Sequence, residues 1–261
     1  MRNKRLLTRM NVLTVGLWVV AALLVLPACQ KKSDPEATGE GAGPAADNQS
    51  AGTRTDLHEA AGLVPLDIVL PKPMFVGTPQ NLRVPNLQKP LGHPRPMFLA
   101  PAGTKNVAAN RPVTSTDEEP IIGEIEMITD GDKEAMDGSY VELGPFLQHV
   151  TIDLGAPHNI YAVLFWHFHK QARVYFDVVV QVADDPDFIT NVQTIFNNDY
   201  DNSSGLGVGE DLHYVETSEG KLVDARGVQA RYVRLYSNGN TGNDLNHYIE
   251  VDVYGKPVSV M

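Results

Sequence analysis

Cysteine is nearly absent. The 261 residues hold a single one, so no disulfide can close within the chain, and stability must come from packing or from bound ions. Basic charge is also short: 21 lysines and arginines face 32 aspartates and glutamates, a formal net charge of −11. Without the cationic excess that holds a phosphate backbone, nucleic-acid binding is excluded as a function. Catalytic signatures are missing as well, since there is no Gly-x-Ser-x-Gly elbow, no His-Glu-x-x-His and no phosphate-cradling glycine loop. Carboxylates are plentiful, but no two sit in an evidently apolar stretch that would part their pKa values for glycoside hydrolysis. A non-enzyme is expected. Helical periodicity over three turns is lacking too, and 22 glycines with 18 prolines favour turns and strands.

What is present begins with a charged start. Arg2, Lys4, Arg5 and Arg9 precede an uncharged apolar run from about Val12 to Ala28, the layout of an export signal over residues 1–28. A run of roughly 17 residues is borderline for a membrane span, so a retained anchor is the competing reading. Leu26-Pro27-Ala28-Cys29 resembles the lipobox of bacterial lipoproteins. That resemblance implies cleavage before Cys29 and acylation of its thiol and new amine, giving a stable membrane anchor. Gln30 follows, not the aspartate that retains enteric lipoproteins at the inner membrane. The expected location is the bacterial cell envelope, at the outer membrane in preference to the inner.

Residues 29–56 carry no aromatic and no β-branched apolar residue and are expected to form a flexible tether. Residues 57–104 differ, with nine prolines between Pro65 and Pro101 set among Ile68, Leu70, Met74, Phe75, Val84, Leu87 and Phe98. Proline at that density excludes helix and interior strand, while those side chains are too apolar for a solvated linker. Two readings stand: an extended segment packed on the following domain, or a polyproline-type ligand for a partner protein. Over 105–256 the pattern changes to short strands between turn signals, which predicts an all-β sandwich or barrel. Strands are expected at 150–154, ending at Gly155, then at 160–168, 174–182, 192–196, 213–217, 230–236 and 248–254. In Ala-Arg-Tyr-Val-Arg-Leu-Tyr (230–236), Val233 and Leu235 are the cheaper pair to bury, which sends Arg231 to the rim beside a carboxylate.

Six phrases in order, ITDGD (128–132), VTIDLG (150–155), YAVLFW (161–166), VVVQVADDPDF (178–188), ARYVRLY (230–236) and HYIEVDVYG (247–255), resemble the discoidin family. This group of galactose-binding-like domains includes the coagulation-factor type C domains and the family 32 carbohydrate-binding modules. The resemblance covers about 150 residues and implies a jelly-roll β-sandwich preceded by the Pro-rich extended segment.

It also implies a structural calcium ion. Asp130-Gly131-Asp132 sets two carboxylates around a glycine, a suitable turn for a hard cation. The family's last-strand glutamate matches Glu250, which would clip the ends of the domain together. The family's serine or threonine after this turn is replaced by Lys-Glu-Ala-Met-Asp-Gly-Ser-Tyr, leaving Asp137 or Ser139 as substitutes, and an acidic turn without metal is the plain alternative. For a ligand, the resemblance points to an apical site of His167, His169, Arg173, Asn243 and Asn246, whose forks and amides suit sugar hydroxyls. Two histidines two apart could instead take a transition metal with His149, His158 or Asp177. The loop 197–211 opens with Asp199-Tyr200-Asp201-Asn202-Ser203, as a calcium loop does, but Ser204 stands where an EF-hand needs glycine. The expected function is a non-catalytic, lipid-anchored binding module for carbohydrate or another surface ligand. The alternative is a scaffolding lipoprotein that docks an envelope protein partner through its Pro-rich segment.

Overall fold

The computed structural model describes residues 62–75 and 82–258. Cys29, the export signal and the tether lie outside the described residues. The architecture is all-β, with one short 3₁₀ turn at Ile125–Thr129 and strands β1 (Leu63–Pro65), β2 (Leu99–Pro101), β3 (Lys105–Asn106), β4 (Val113–Ser115), β5 (Val141–Pro145), β6 (Gln148–Trp166), β7 (Val179–Ala183), β8 (Gln193–Asn197), β9 (Lys221–Ser237), β10 (Leu245–Tyr248) and β11 (Glu250–Pro257). A seven-stranded sheet runs β3-β11-β6-β9-β7-β8, with β4 also on β6, and β10 pairs β5 in a second sheet. All pairings between named strands are antiparallel. This is the jelly-roll sandwich expected.

The main core lies between the two sheets. Val141, Leu143 and Tyr248 of the small sheet meet Val150, Ile152, Val163, Phe165, Val233 and Leu235 of the large one. Val233 and Leu235 therefore face inward as the alternation requires, and Arg231 reaches the rim, where Nε and Nη2 each donate to an Asp153 oxygen at 2.7 Å. The nearly unbroken apolar run at 160–168 has a simple cause. Its odd residues Val163 and Phe165 enter the main core, whereas Ala162, Leu164 and Trp166 enter a second cluster on the opposite face.

That opposite face is covered by the Pro-rich stretch. β1 folds back on β2, and Leu66, Ile68 and Phe98 pack on the second cluster. Arg95 fastens the stretch by donating from Nη1 to the carbonyls of Glu219 and Gly220 at 3.0 and 3.1 Å. Ile68 and Phe98 are thus engaged by the chain's own sheet, whereas Leu70 and Met74 stay exposed.

Several strand boundaries differ from expectation. β6 does not end at Gly155, because pairing with β9 jumps from Asp153↔Tyr232 to His158↔Ala230 and resumes. Gly155, at φ +82°, lies within this bulge. The 213–217 segment forms only a bridge at His213 to Leu87. β9 instead begins at Lys221, and β4 and β5 were unforeseen.

Candidate ligand-binding site

One end of the sandwich gathers polar and aromatic side chains from three segments. β5 and β10 place Glu142 opposite His247, whose Nε2 donates to Glu142 Oε2 at 2.9 Å. His247 Nδ1 then accepts the Tyr175 hydroxyl at 3.0 Å. Burial, with Arg173 and His167 adding to it, holds the His247 pKa down to about 3, so the ring is neutral and its tautomer follows from the two partners. Burial also raises the Glu142 carboxyl, against the pull of Arg173.

Above this pair lies an aromatic face with a cation on it. Tyr140 tilts against Phe168 with centroids 4.8 Å apart, and the Arg173 guanidinium stands 5.0 Å over the Phe168 ring. Arg173 Nη2 donates to Gln171 at 3.4 Å, but Nε and Nη1 are buried with no partner. The loop after β9 forms one wall, since a methyl at Gly242 would stand 3.2 Å from Arg173 Nε. Asn240 holds that loop, its Oδ1 accepting the Gly242 N–H and its Nδ2 donating to Leu245 O, at 2.8 and 2.9 Å.

The residues expected at this site divide. Arg173 is central, and Asn243 lies exposed on the adjoining loop. The other three are corrected to interior roles. Asn246 is fully buried and spends its amide inside, accepting from Ser237 Oγ and Gly239 N and donating to the carbonyls of Gly144 and Phe146. His167 has no exposed surface, stacks on Tyr175 at 4.2 Å and bonds Glu216 Oε1 through Nδ1 at 2.7 Å. His169, equally buried, donates from Nε2 to the Lys133 carbonyl at 2.9 Å. The histidine pair does not converge on a metal: His158 bonds the Ala156 carbonyl and His149 packs on Tyr236.

Tyr140, Glu142, Phe168 and His247 were missed. Phe168, inside His-Phe-His, is 7% exposed and belongs to the second apolar cluster, with Tyr140 packed against it.

At the acidic turn, Gly131 N–H donates to Glu250 Oε2 at 3.1 Å. Burial, with Asp252 and Asp130 adding to it, pushes the Glu250 carboxyl up to about 8, and its Oε1 is buried without a partner. Asp130 and Asp132 cap the backbone of Asp132 and Glu134 with one oxygen each, at 2.8 and 2.9 Å. The orphaned buried oxygen of Glu250 suits a hard cation, but the carboxylates of Asp130, Asp132 and Glu250 do not all meet within 4.8 Å of one another. Asp137 is engaged by Lys170 at 2.7 Å, and the Ser139 N–H by the Met136 carbonyl.

No family model and no curated protein matches the chain. Solved structures do. The family 32 carbohydrate-binding module of AlyQ, in complex with 4,5-unsaturated mannuronic acid, is 18% identical with a TM-score of 0.41, over 54% of this chain and 92% of that one. Chitosan-binding module 1 of the chitosanase/glucanase from Paenibacillus sp. IK-5 is 18% identical at 0.38, over 58% and 99%. A family 89 glycoside hydrolase from Clostridium perfringens is 20% identical at 0.43, matched over 59% of this chain but only 15% of its own length.

Proposed function

We propose that this protein is a non-catalytic carbohydrate-binding module whose ligand lies against Arg173, Phe168, Tyr140 and Glu142. The observation that carries this reading is the Arg173 guanidinium, held over an aromatic ring with two buried nitrogens that have no acceptor. Buried donors without partners are costly. A ligand rich in oxygen that also presents an apolar C–H face to Tyr140 relieves that cost, and a sugar ring is both. Glu142 accepts from its hydroxyls, so donors and acceptors on the protein match the mixed character of a polyol. The modules named above bind carbohydrates, in keeping with this proposal.

The wider setting belongs to the same proposal: a bacterial lipoprotein anchored through Cys29 in the cell envelope, with calcium held by Asp130, Asp132 and Glu250 fastening the early turn to β11. Glycan-array binding by the full chain, followed by titration of the selected glycan, tests the ligand. Arg173→Ala should weaken binding about 10- to 100-fold, the worth of one or two charge-assisted hydrogen bonds. Selective binding that survives this change with unaltered affinity would refute the site.

A further inference from the structure

A second acidic group lies elsewhere, built from the segment before β7 and the loop after β8. One carboxylate oxygen each from Asp177, Asp199 and Asp201 lies within 4.8 Å of the other two. Asp177 is 7% exposed and Asp199 is fully buried, so two of these charges are largely cut off from water. None of the three takes part in an ion pair among the described residues.

Their hydrogen bonds only partly answer the charge. Asp177 accepts from Ser203 Oγ and Asn238 Nδ2, both at 2.8 Å. Asp199 accepts the Ser203 and Ser204 N–H groups at 3.0 and 2.9 Å and the hydroxyls of both serines, bonds that, against burial, hold its carboxyl low, and Asp201 accepts the Ser203 N–H at 3.1 Å. All these donors are neutral. Three carboxylates packed together repel one another by several kcal/mol in a partly dry setting, unless a cation joins them.

A separate observation concerns His213. Its ring, 2% exposed, stands edge-on between Phe176 and Tyr200 at 5.7 and 5.8 Å. Those two aromatics are the sequence neighbours of Asp177 and of Asp199 and Asp201, so the imidazole flanks the group. Its field is felt there too, since all three carboxylates act on the ring, although burial outweighs them and lowers its pKa. A neutral imidazole has one nitrogen that accepts, yet Nδ1 is buried with no partner. A buried imidazole nitrogen left without a donor beside three carboxylates is what a water on a bound ion would satisfy.

We propose that Asp177, Asp199 and Asp201 form a second divalent-cation site of the hard, oxygen-seeking class that suits calcium, with a water of the ion's shell donating to His213 Nδ1. The ion fixes the loop 197–211 to the segment that follows Arg173. It shares no residue with the Glu250 turn and needs no sugar.

Terbium, a luminescent stand-in for calcium, tests the proposal on the full chain, because Tyr200 lies between two of the ligands and sensitises emission. The expected result is Tyr-excited emission that calcium displaces, weakened at least 10-fold in affinity by Asp201→Asn and retained in Glu250→Gln. Tyr200→Phe should dim the emission while calorimetric calcium binding persists. Asp177→Asn gives the same reading should Asp201→Asn fail to fold. Unchanged terbium and calcium affinity in the aspartate variants, or loss of all binding in Glu250→Gln, overturns it.

Discussion

A single methyl group at Gly220 would stand 2.7 Å from the Trp166 indole and 2.8 Å from the Phe165 carbonyl, at a backbone φ of +62°. Neither the conformation nor the space admits a side chain, because the turn before β9 runs directly over the ring whose Nε1 donates to Ser218 O at 3.0 Å. Gly220→Ala should therefore cost about 1–3 kcal/mol and lower the melting temperature by roughly 3 °C or more. A melt equal to wild type would mean that the turn shifts freely. At this scale the sequence was legible where alternation within one strand decides: burial of Val233 and Leu235 and the rim position of Arg231 follow from β9 alone, whereas its partner Asp153 comes from β6 and was expected only as some carboxylate. It was illegible where a partner arrives from far along the chain. Nothing in His167-Phe168-His169 announces that Glu216 will take the first histidine, or the Lys133 carbonyl the second. Arg173 was singled out by the family resemblance, from its place just after the β6 run, and not from its own surroundings.

Two elements carry most of the architecture, β6 with 19 residues and β9 with 17. The apolar run of β6 could be read, and with it burial of both faces, but the bulge at Gly155 looks like a strand end in sequence. Only the resumed pairing at His158 distinguishes the two. The same burial on both faces makes the Pro-rich stretch an integral layer. With nothing over Leu164, Trp166 and Tyr254, the large sheet would present an apolar face to water. Phe98→Ala, which removes one half-buried contact of that layer, should cost about 1–3 kcal/mol. Deleting residues 62–101 should lower the melting temperature far more and raise binding of a hydrophobic dye, while the Arg173 site keeps its ligand. A deletion that leaves the melt unchanged would restore the partner-docking role to this segment.

Over the whole molecule, two neutral histidines and the buried Glu250 carboxyl set the response to acid, with opposite signs. His149 is held down to about 4, by burial first and Arg234 second, and His247 to about 3, by burial first and Arg173 second. Unfolded, both rings protonate near 6.5. Above that value the folded and unfolded chains carry the same protons on these rings, so stability does not depend on them. As pH falls below 6.5 the unfolded chain binds protons that the folded one refuses, and stability is lost until the folded pKa values are reached. For His247, only 3% exposed, the loss is bounded by about 1.4 kcal/mol per pH unit, while the half-exposed His149 contributes a screened fraction of that. The Asp153 carboxyl, lowered by its hydrogen bonds from Arg231, adds a further loss only below the ordinary carboxylate range. The Glu250 carboxyl, pushed up to about 8 by burial, acts in the opposite sense: between about pH 4.5 and 8 the folded chain keeps a proton there that the unfolded chain has lost, so without a bound cation stability rises as pH falls through that range, while the net charge of −11 shrinks over the same interval and relieves self-repulsion. Melting temperatures taken at half-unit steps from pH 7.5 to 4.5 decide which effect wins, and His149→Gln should flatten part of the slope. A melt that rises as pH falls to 5 would mean that the Glu250 proton and relief of the acidic surface outweigh the two rings, and Glu250→Gln separates those two causes by removing the first.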